Sequence, residues 1–356
     1  MRRGRIVQVL PTMSYGDAVS NHALQIREVC KRNKWKTAIY AENIDPRVNH
    51  VSKVKNLSKD VSRHDLIIYH MSTGSSVTEL VASLRVDKKV LIYHNITPAK
   101  YFIQYNKNLA DLVAQGRVQL ENVSAAFQLA LGVSEFNRAE LETIGFRNTG
   151  ILPLWFFGNK YEGQPDSGVM KAYQDGKTNI LFVGRIAPNK KHEDLIKAFY
   201  YYKRIYKPST RLLLVGSWNG MEGYFHHLQR YVKQLELDED VVFTGHVSDG
   251  ELLAYYRVAH IFLSMSEHEG FCVPLLESMH FEVPILAFSA AAIPDTLGDA
   301  GLVFKQKDYP AIAALLDVID RHPDISRKLI ESQRERLKDY DESLITNKFW
   351  QYINSL

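Results

Sequence analysis

Only two cysteines, Cys30 and Cys272, occur in 356 residues. They lie far apart and match no disulfide or metal spacing, so both read as reduced thiols of a cytosolic protein. Long apolar runs are also missing. No stretch approaches the ~18–20 apolar residues that cross a bilayer. The opening MRRGRIVQVLP stops its short apolar run at Pro11, which suits a first β-strand better than a signal-peptide core. No G-x-G-x-x-G turn follows that strand. LPTMSYGDAVS stands there instead, which argues against a dinucleotide oxidoreductase. No DxD-type acidic pair stands out after a strand.

What is present is the composition of a soluble globular protein, 46% hydrophobic and 24% charged, in a chain too long for one ordinary core. Charge is uneven. Residues 1–155 carry 21 Lys and Arg against 13 Asp and Glu, a net +8, and the remainder carries 23 against 27, a net −4. A basic first half points to an anionic partner. REVCKRNKWK (27–36) concentrates five of those cations around Trp35. It reads either as the solvated end of a surface helix or as a contact with an anionic membrane surface.

Short β-branched and aromatic runs alternate with amphipathic stretches. Strands are expected at 5–10, 36–42, 65–70, 89–95, 129–134 and 149–154, with helices at about 18–33, 76–84, 107–128 and 135–144. FFGNKYEGQPDSG (156–168) breaks the pattern and opens a linker expected over 156–178. The alternation restarts with strands at 179–186, 211–217, 241–246, 260–266, 283–288 and 301–304. Helices at about 308–321, 323–339 and 341–354 close the chain. This grammar predicts an α/β protein with two Rossmann-like parallel-sheet domains. Residues 1–155 make the first, joined by a closing helix at about 341–356 that Phe349, Trp350 and Tyr352 anchor, and 179–340 make the second. Ligands of such sheets sit at the carboxyl ends of strands, so two sheets facing each other predict a deep interdomain cleft.

Two loops in the second half carry the distinctive residues. In VGRIAPNKKHEDL (183–195) a strand ends at Gly184, and Arg185 and Lys190 precede the next helix. A fork of guanidinium donors and a compact ammonium suit a pyrophosphate; the plainer reading is a basic surface loop. In EHEGFCVPLLES (267–278) a strand gives way to a helix with Pro274 in its first turn. Backbone N–H groups of Phe271, Cys272 and Val273 then approach a helix N-terminus, a ready anion site. Glu269 precedes that helix and Glu277 lies inside it. Each suits a hydroxyl rather than a phosphate; the plainer reading is a loop acid and a first-turn Glu.

Together these residues resemble family 4 of the retaining glycosyltransferases, which have the GT-B fold. The likeness covers 179–304 closely, through VGRIAPNKKHEDLIKAF, LLLVGSWNG, FTGHVSDGELLAYYRVAHIFLSMSEHEGFCVPLLESM, VPILAF and DTLGDAGLVF. It is weaker in the first half, through YGDAVSNHALQIREV and YHN (93–95). The resemblance implies that Arg185 and Lys190 hold the donor diphosphate, with Gly184 at the turn. Glu269 would meet the donor sugar and Glu277 the ribose. Gly270, Phe271, Cys272 and Val273 would complete phosphate binding. Gly216 and the segment Gly245, His246, Val247 would line the nucleotide pocket, and Gly16 would let backbone approach the diphosphate. His94 matches a His placed near the reacting sugar, and His70 has a similar address one strand earlier. Three positions depart from the family pattern: Cys272 and Glu282 where many relatives have Gly, and Asp295 where Glu is commoner.

The implied reaction is transfer of a hexosyl group from a UDP- or GDP-sugar to a glycan or lipid-linked glycan, with retention and without a metal or other cofactor. Envelope polysaccharide assembly at the inner membrane face is the expected setting, with no nucleic-acid partner. A GT-B-fold sugar-nucleotide epimerase and a non-catalytic partner subunit are the alternatives. Each of the four residues Arg185, Lys190, Glu269 and Glu277 is present, which weighs against the second.

Overall fold

The computed structural model describes residues 4–356; the cations Arg2 and Arg3 of the basic N-terminal stretch lie outside the described residues. The chain divides into two compact units. The first comprises residues up to Lys100, Lys107–Trp155 and Tyr340–Leu356; the second comprises Tyr101–Asn106 and Phe156–Asp339.

The first unit is built on β1 (Ile6–Met13), β2 (Thr37–Ile44), β3 (Ser52–Lys53), β4 (Leu66–Met71), β5 (Lys88–Tyr93), β6 (Leu129–Gly132) and β7 (Thr149–Ile151). They form one sheet in the order β3-β2-β1-β4-β5-β6-β7, with parallel ladders throughout. β4 is buried at every position, as a strand covered on both faces must be. Helices fill the crossovers, including Ala18–Arg32, capped by Asp17, whose carboxylate accepts from the Ser20 amide at 3.0 Å. β1 runs on past Pro11. Its ladder to β4 ends at Val9, and on the free side beyond that point the missing proline donor is tolerated. The two-residue β3 has no expectation behind it, being too short for a period-2 signal.

The second unit holds β8 (Thr178–Val183), β9 (Thr210–Val215), β10 (Val241–Gly245), β11 (Ile261–Ser264), β12 (Ile285–Phe288) and β13 (Leu302–Phe304). Their order is β10-β9-β8-β11-β12-β13, again all parallel. In both sheets successive strands grow outward from the first and then jump to its other side. The reversal falls between β1 and β4 in one unit and between β8 and β11 in the other, and such switch points are where α/β sheets bind ligands.

The stretch read as a linker is part of the second unit. It contains helix Ser167–Tyr173, capped by Asp166, and Asp166 also donates its amide to the Gly250 carbonyl at 2.9 Å. Its Gly and Pro residues mark turns between short packed elements rather than a free tether. Helix Glu342–Asn354 packs in the first unit. Phe349 is fully buried and meets Trp155, Trp350 stacks on Trp35, and the Tyr352 hydroxyl accepts the Ile151 amide at 3.1 Å. No helix among the described residues is long and apolar enough to cross a membrane.

Candidate active site

The loop after β8 and the loop after β11 meet at the second sheet's switch point. The Asn189 side chain donates to the His268 carbonyl at 3.0 Å, and the Glu267 amide returns to the Asn189 carbonyl at 2.9 Å. This lacing brings Lys190 and Glu269 into an ion pair, with both side chains mostly buried. Lys190 ends a short 3-10 turn that Pro188 begins, and Lys191, in the left-handed region at φ 55°, starts helix His192–Ile205. Arg185 stands earlier on the same loop, exposed, and donates from Nη2 to the Asn219 carbonyl at 2.8 Å.

Close backbone approach shapes the neighbouring strand ends. A Cβ on Gly216 would lie 2.0 Å from the Gly184 carbonyl oxygen, so only glycine lets the ends of β8 and β9 pass. Gly245, at φ 74°, bridges to Gly216 and faces the Trp218 ring. Trp218 stacks on Phe225 at 4.0 Å, walling that edge with aromatic surface. His246 and Val247 follow in the loop that leads to Ser248, where a capping box opens helix Asp249–Val258.

Helix Val273–His280 begins as expected, with Pro274 as its second residue. Cys272 occupies the N-cap in the left-handed region, φ 70° and ψ 67°. A non-glycine residue there costs about 1–2 kcal/mol. Glu282, just after the same helix, has φ 58°. Both residues therefore hold a backbone conformation that glycine favours. At Glu282 the backbone bears a side chain in that conformation, and the carboxylate reaches Arg334 at 2.7 Å. Burial, with Glu269 nearby, pushes the Cys272 thiol well above the ordinary thiol range.

Glu277 is buried, and its two oxygens are held separately: Oε1 accepts from the Tyr161 hydroxyl at 2.7 Å and Oε2 from Tyr256 at 2.6 Å. Burial and the adjacent carboxylate raise both phenols above the ordinary tyrosine range. Neither tyrosine carries a sequence signal, because one lies in the stretch read as a linker and the other on the buried side of an amphipathic helix. Lys307 is a third such residue. It donates to Asp194 at 2.7 Å and to Glu267 at 2.8 Å, bracing the loop that carries Glu269. Gly270, Phe271 and Val273 line the same turn, and the Phe271 carbonyl accepts the Thr296 hydroxyl.

Gly16 and His94 belong to the first unit, at the carboxyl end of its sheet. Gly16, at φ 78°, turns the chain between β1 and the next helix. His94 follows β5, its amide bonded to the Met71 carbonyl at 2.9 Å. His70, at the end of β4, is fully buried, and its Nδ1 lies 3.0 Å from His94 Nε2. Burial holds His70 down to about 3 and His94 well below the usual imidazole range, so both are neutral at pH 7.

The cation–carboxylate pair lies at the switch point of one of two Rossmann-like units, and two such units in one chain are the parts of the GT-B architecture. Structural comparison gives that architecture over the whole chain. Sucrose-phosphate synthase from Thermosynechococcus elongatus superposes with a TM-score of 0.77 over 99% of this chain and 98% of its own, at 17% identity. Anabaena HepE in complex with UDP-glucose does so at 0.75, over 99% and 100%, at 15% identity.

Residues 170–336 match the family described as glycosyl transferases group 1. Among curated proteins, O-antigen chain mannosyltransferase B of Escherichia coli is 30% identical over 239 residues, 65% of this chain and 60% of that protein. Alpha-monoglucosyldiacylglycerol synthase of Streptococcus pneumoniae is 26% identical over 189 residues, 49% of this chain and 41% of that one. The matches thus span three fifths or less of these relatives' length.

Proposed function

We propose that the chain is a retaining glycosyltransferase that moves a hexosyl group from a nucleoside diphosphate sugar to a hydroxyl of a glycan or lipid-linked glycan. The observation that carries the reading is the buried Lys190–Glu269 pair at the switch point, with Arg185 on the same loop. A diphosphate needs cations and a sugar needs a hydrogen-bond acceptor, and here the two functions are adjacent. Names of relatives favour a hexose such as mannose and a role in cell-envelope polysaccharide assembly.

In this reading the leaving diphosphate draws Lys190 away from Glu269 and toward its own charge, with Arg185 beside it. The freed Glu269 accepts from a sugar hydroxyl. The amides from Gly270 to Val273 add donors that need not reorganise as charge develops, and such preorganised donors stabilise a departing oxyanion. The acceptor proton passes to the diphosphate oxygen as the glycosidic bond to the donor breaks and the new one forms on the same face. The scheme calls on no metal. Glu277 meets the ribose through lone pairs that its tyrosines leave, since each carboxylate oxygen has two acceptor sites.

Work at the inner membrane face belongs to the same proposal, supported by the cationic first half. Of the cluster at 27–36, however, Arg27 and Lys31 pair with Glu28, Arg32 pairs with Glu342, and Trp35 stacks on Trp350. That favours its plainer reading as a solvated helix end.

The test is a thermal-shift screen against UDP, GDP, ADP and their sugars, followed by incubation of the stabilising sugar nucleotide with and without a glycan acceptor. A ligand bound only by the folded state raises its melting point. Stabilisation by one nucleotide family and an acceptor-dependent product with the donor's anomeric configuration are expected. An epimerised sugar nucleotide formed without acceptor, or no nucleotide response at all, overturns the reading.

A further inference from the structure

The first unit has its own constellation at its own switch point. His70 closes β4, His94 follows β5, and His22 comes from helix Ala18–Arg32; His22 and His70 are fully buried and His94 is half-buried. One ring nitrogen from each lies within 4.8 Å of the others. We propose that His22, His70 and His94 form a binding site for a zinc ion.

Ring geometry is the first argument. An ion about 2.0–2.1 Å from one nitrogen of each of three imidazoles, in tetrahedral arrangement, sets the ring centroids roughly 5 Å apart. The observed separations are 5.1 Å for His22–His94, 5.2 Å for His70–His94 and 5.7 Å for His22–His70. The rings of His70 and His94 are inclined by 29° and meet edge to edge, Nδ1 to Nε2 at 3.0 Å, while His22 stands at about 80° to both. His22 thus brings its ring in from a different direction to the edge where His70 and His94 meet, with one nitrogen of each of the three within 4.8 Å of the others.

The second argument is the hydrogen-bond ledger. The Gln8 amide nitrogen donates to the Ala23 carbonyl at 2.9 Å, which turns its oxygen toward His70 Nε2, also at 2.9 Å. His70 must then carry its proton on Nε2, leaving the Nδ1 lone pair directed at the cluster. A metal-binding histidine characteristically gives its remote N–H to a fixed carbonyl in this way. His22 is the exception that an ion would resolve. Both of its ring nitrogens are buried without a hydrogen-bond partner among the described residues, a rare state for polar atoms in a native interior.

Trp155 packs on His22 at 5.2 Å and walls that side with apolar surface. The partly exposed His94 leaves a fourth position for water or a ligand oxygen. Three neutral imidazoles suit zinc and cobalt rather than magnesium or calcium. Burial depresses all three histidines, and the neutral form is the ligating one. To bind, His94 shifts its proton from Nε2 to Nδ1, so no net proton is released. The resemblance sets His94 beside the reacting sugar; as a zinc ligand its ring is engaged here instead, and the transfer scheme routes no step through a metal.

The experiment uses full-length protein with any purification tag removed, stripped by chelator and dialysed against zinc chloride. One retained equivalent of zinc is expected, with X-ray absorption fitting three imidazole nitrogens. Cobalt should give the intense visible bands of a four-coordinate ion. His22→Gln should weaken zinc by at least tenfold. Wild type that retains no zinc overturns the proposal, as does a spectrum with fewer than three imidazoles or His22→Gln protein that binds as tightly. The wild-type measurements decide even if that variant fails to fold, and none of them depends on turnover.

Discussion

The two units share a strand order and a switch point, yet arm that point with opposite chemistry. The second presents charge in pairs: Lys190 with Glu269, and Lys307 with Asp194 and Glu267. The first presents three imidazoles that burial keeps uncharged, ordered by Gln8. The parallel sheet fixes an address, the carboxyl ends beside its first strand, and leaves the chemistry to the loops. The charged address suits a diphosphate; the neutral one suits a soft or borderline ligand.

Four changes break or sharpen that contrast. The largest effect is expected from Lys190→Ala, which removes the cation from the charged switch point. Turnover should fall roughly 10²–10³-fold, the scale of losing one preorganised donor, with the circular dichroism spectrum unchanged. Near-normal turnover would mean that the charge there is structural only.

Next comes Glu277→Leu, which strands the hydroxyls of Tyr161 and Tyr256. Each buried unpaired hydroxyl costs about 1–3 kcal/mol, readable as a lower urea midpoint. Adding Tyr161→Phe and Tyr256→Phe should recover part of the loss. No recovery would show that the pairings carry little of the stability.

A smaller, pH-dependent effect is expected at His192, buried at the start of its helix and held down to about 3, chiefly by burial and then by Lys190. Its folded pKa lies below the unfolded value. The unfolded chain therefore takes up the proton first, and stability is lost as pH falls from about 6.5 toward 3. His192→Gln should lose less stability than wild type between pH 7 and pH 5 in urea titrations; parallel losses would remove His192 from the acid response.

The smallest effect belongs to Cys272→Gly. Relief of left-handed strain and the added freedom of the unfolded chain nearly cancel, so stability should stay within about 1 kcal/mol of wild type and donor affinity should be kept. A large loss in either would give the Cys272 side chain a role of its own.

Much of the charged site was legible in sequence because its residues fall in loops directly after apolar strands. Arg185, Lys190 and Glu269 stand out there, and Pro274 marks the helix start. The tyrosines that hold Glu277 were not legible. Their partnership depends on packing a turn-rich segment against a distant helix, and no local pattern records it. His22 was hidden for the same reason, as one polar residue on an otherwise ordinary amphipathic helix. The left-handed backbone at Cys272 and Glu282 is visible only in the coordinates.

The closing helix bears on the order in which the protein can be made. Thr346 accepts the Trp155 indole N–H at 3.0 Å, and Phe349 covers the same ring, which in turn packs on His22. During synthesis the first unit therefore waits, its Trp155 uncovered, while nearly two hundred residues of the second unit emerge and fold around their own sheet. The half that begins first on the ribosome is the half that is completed last.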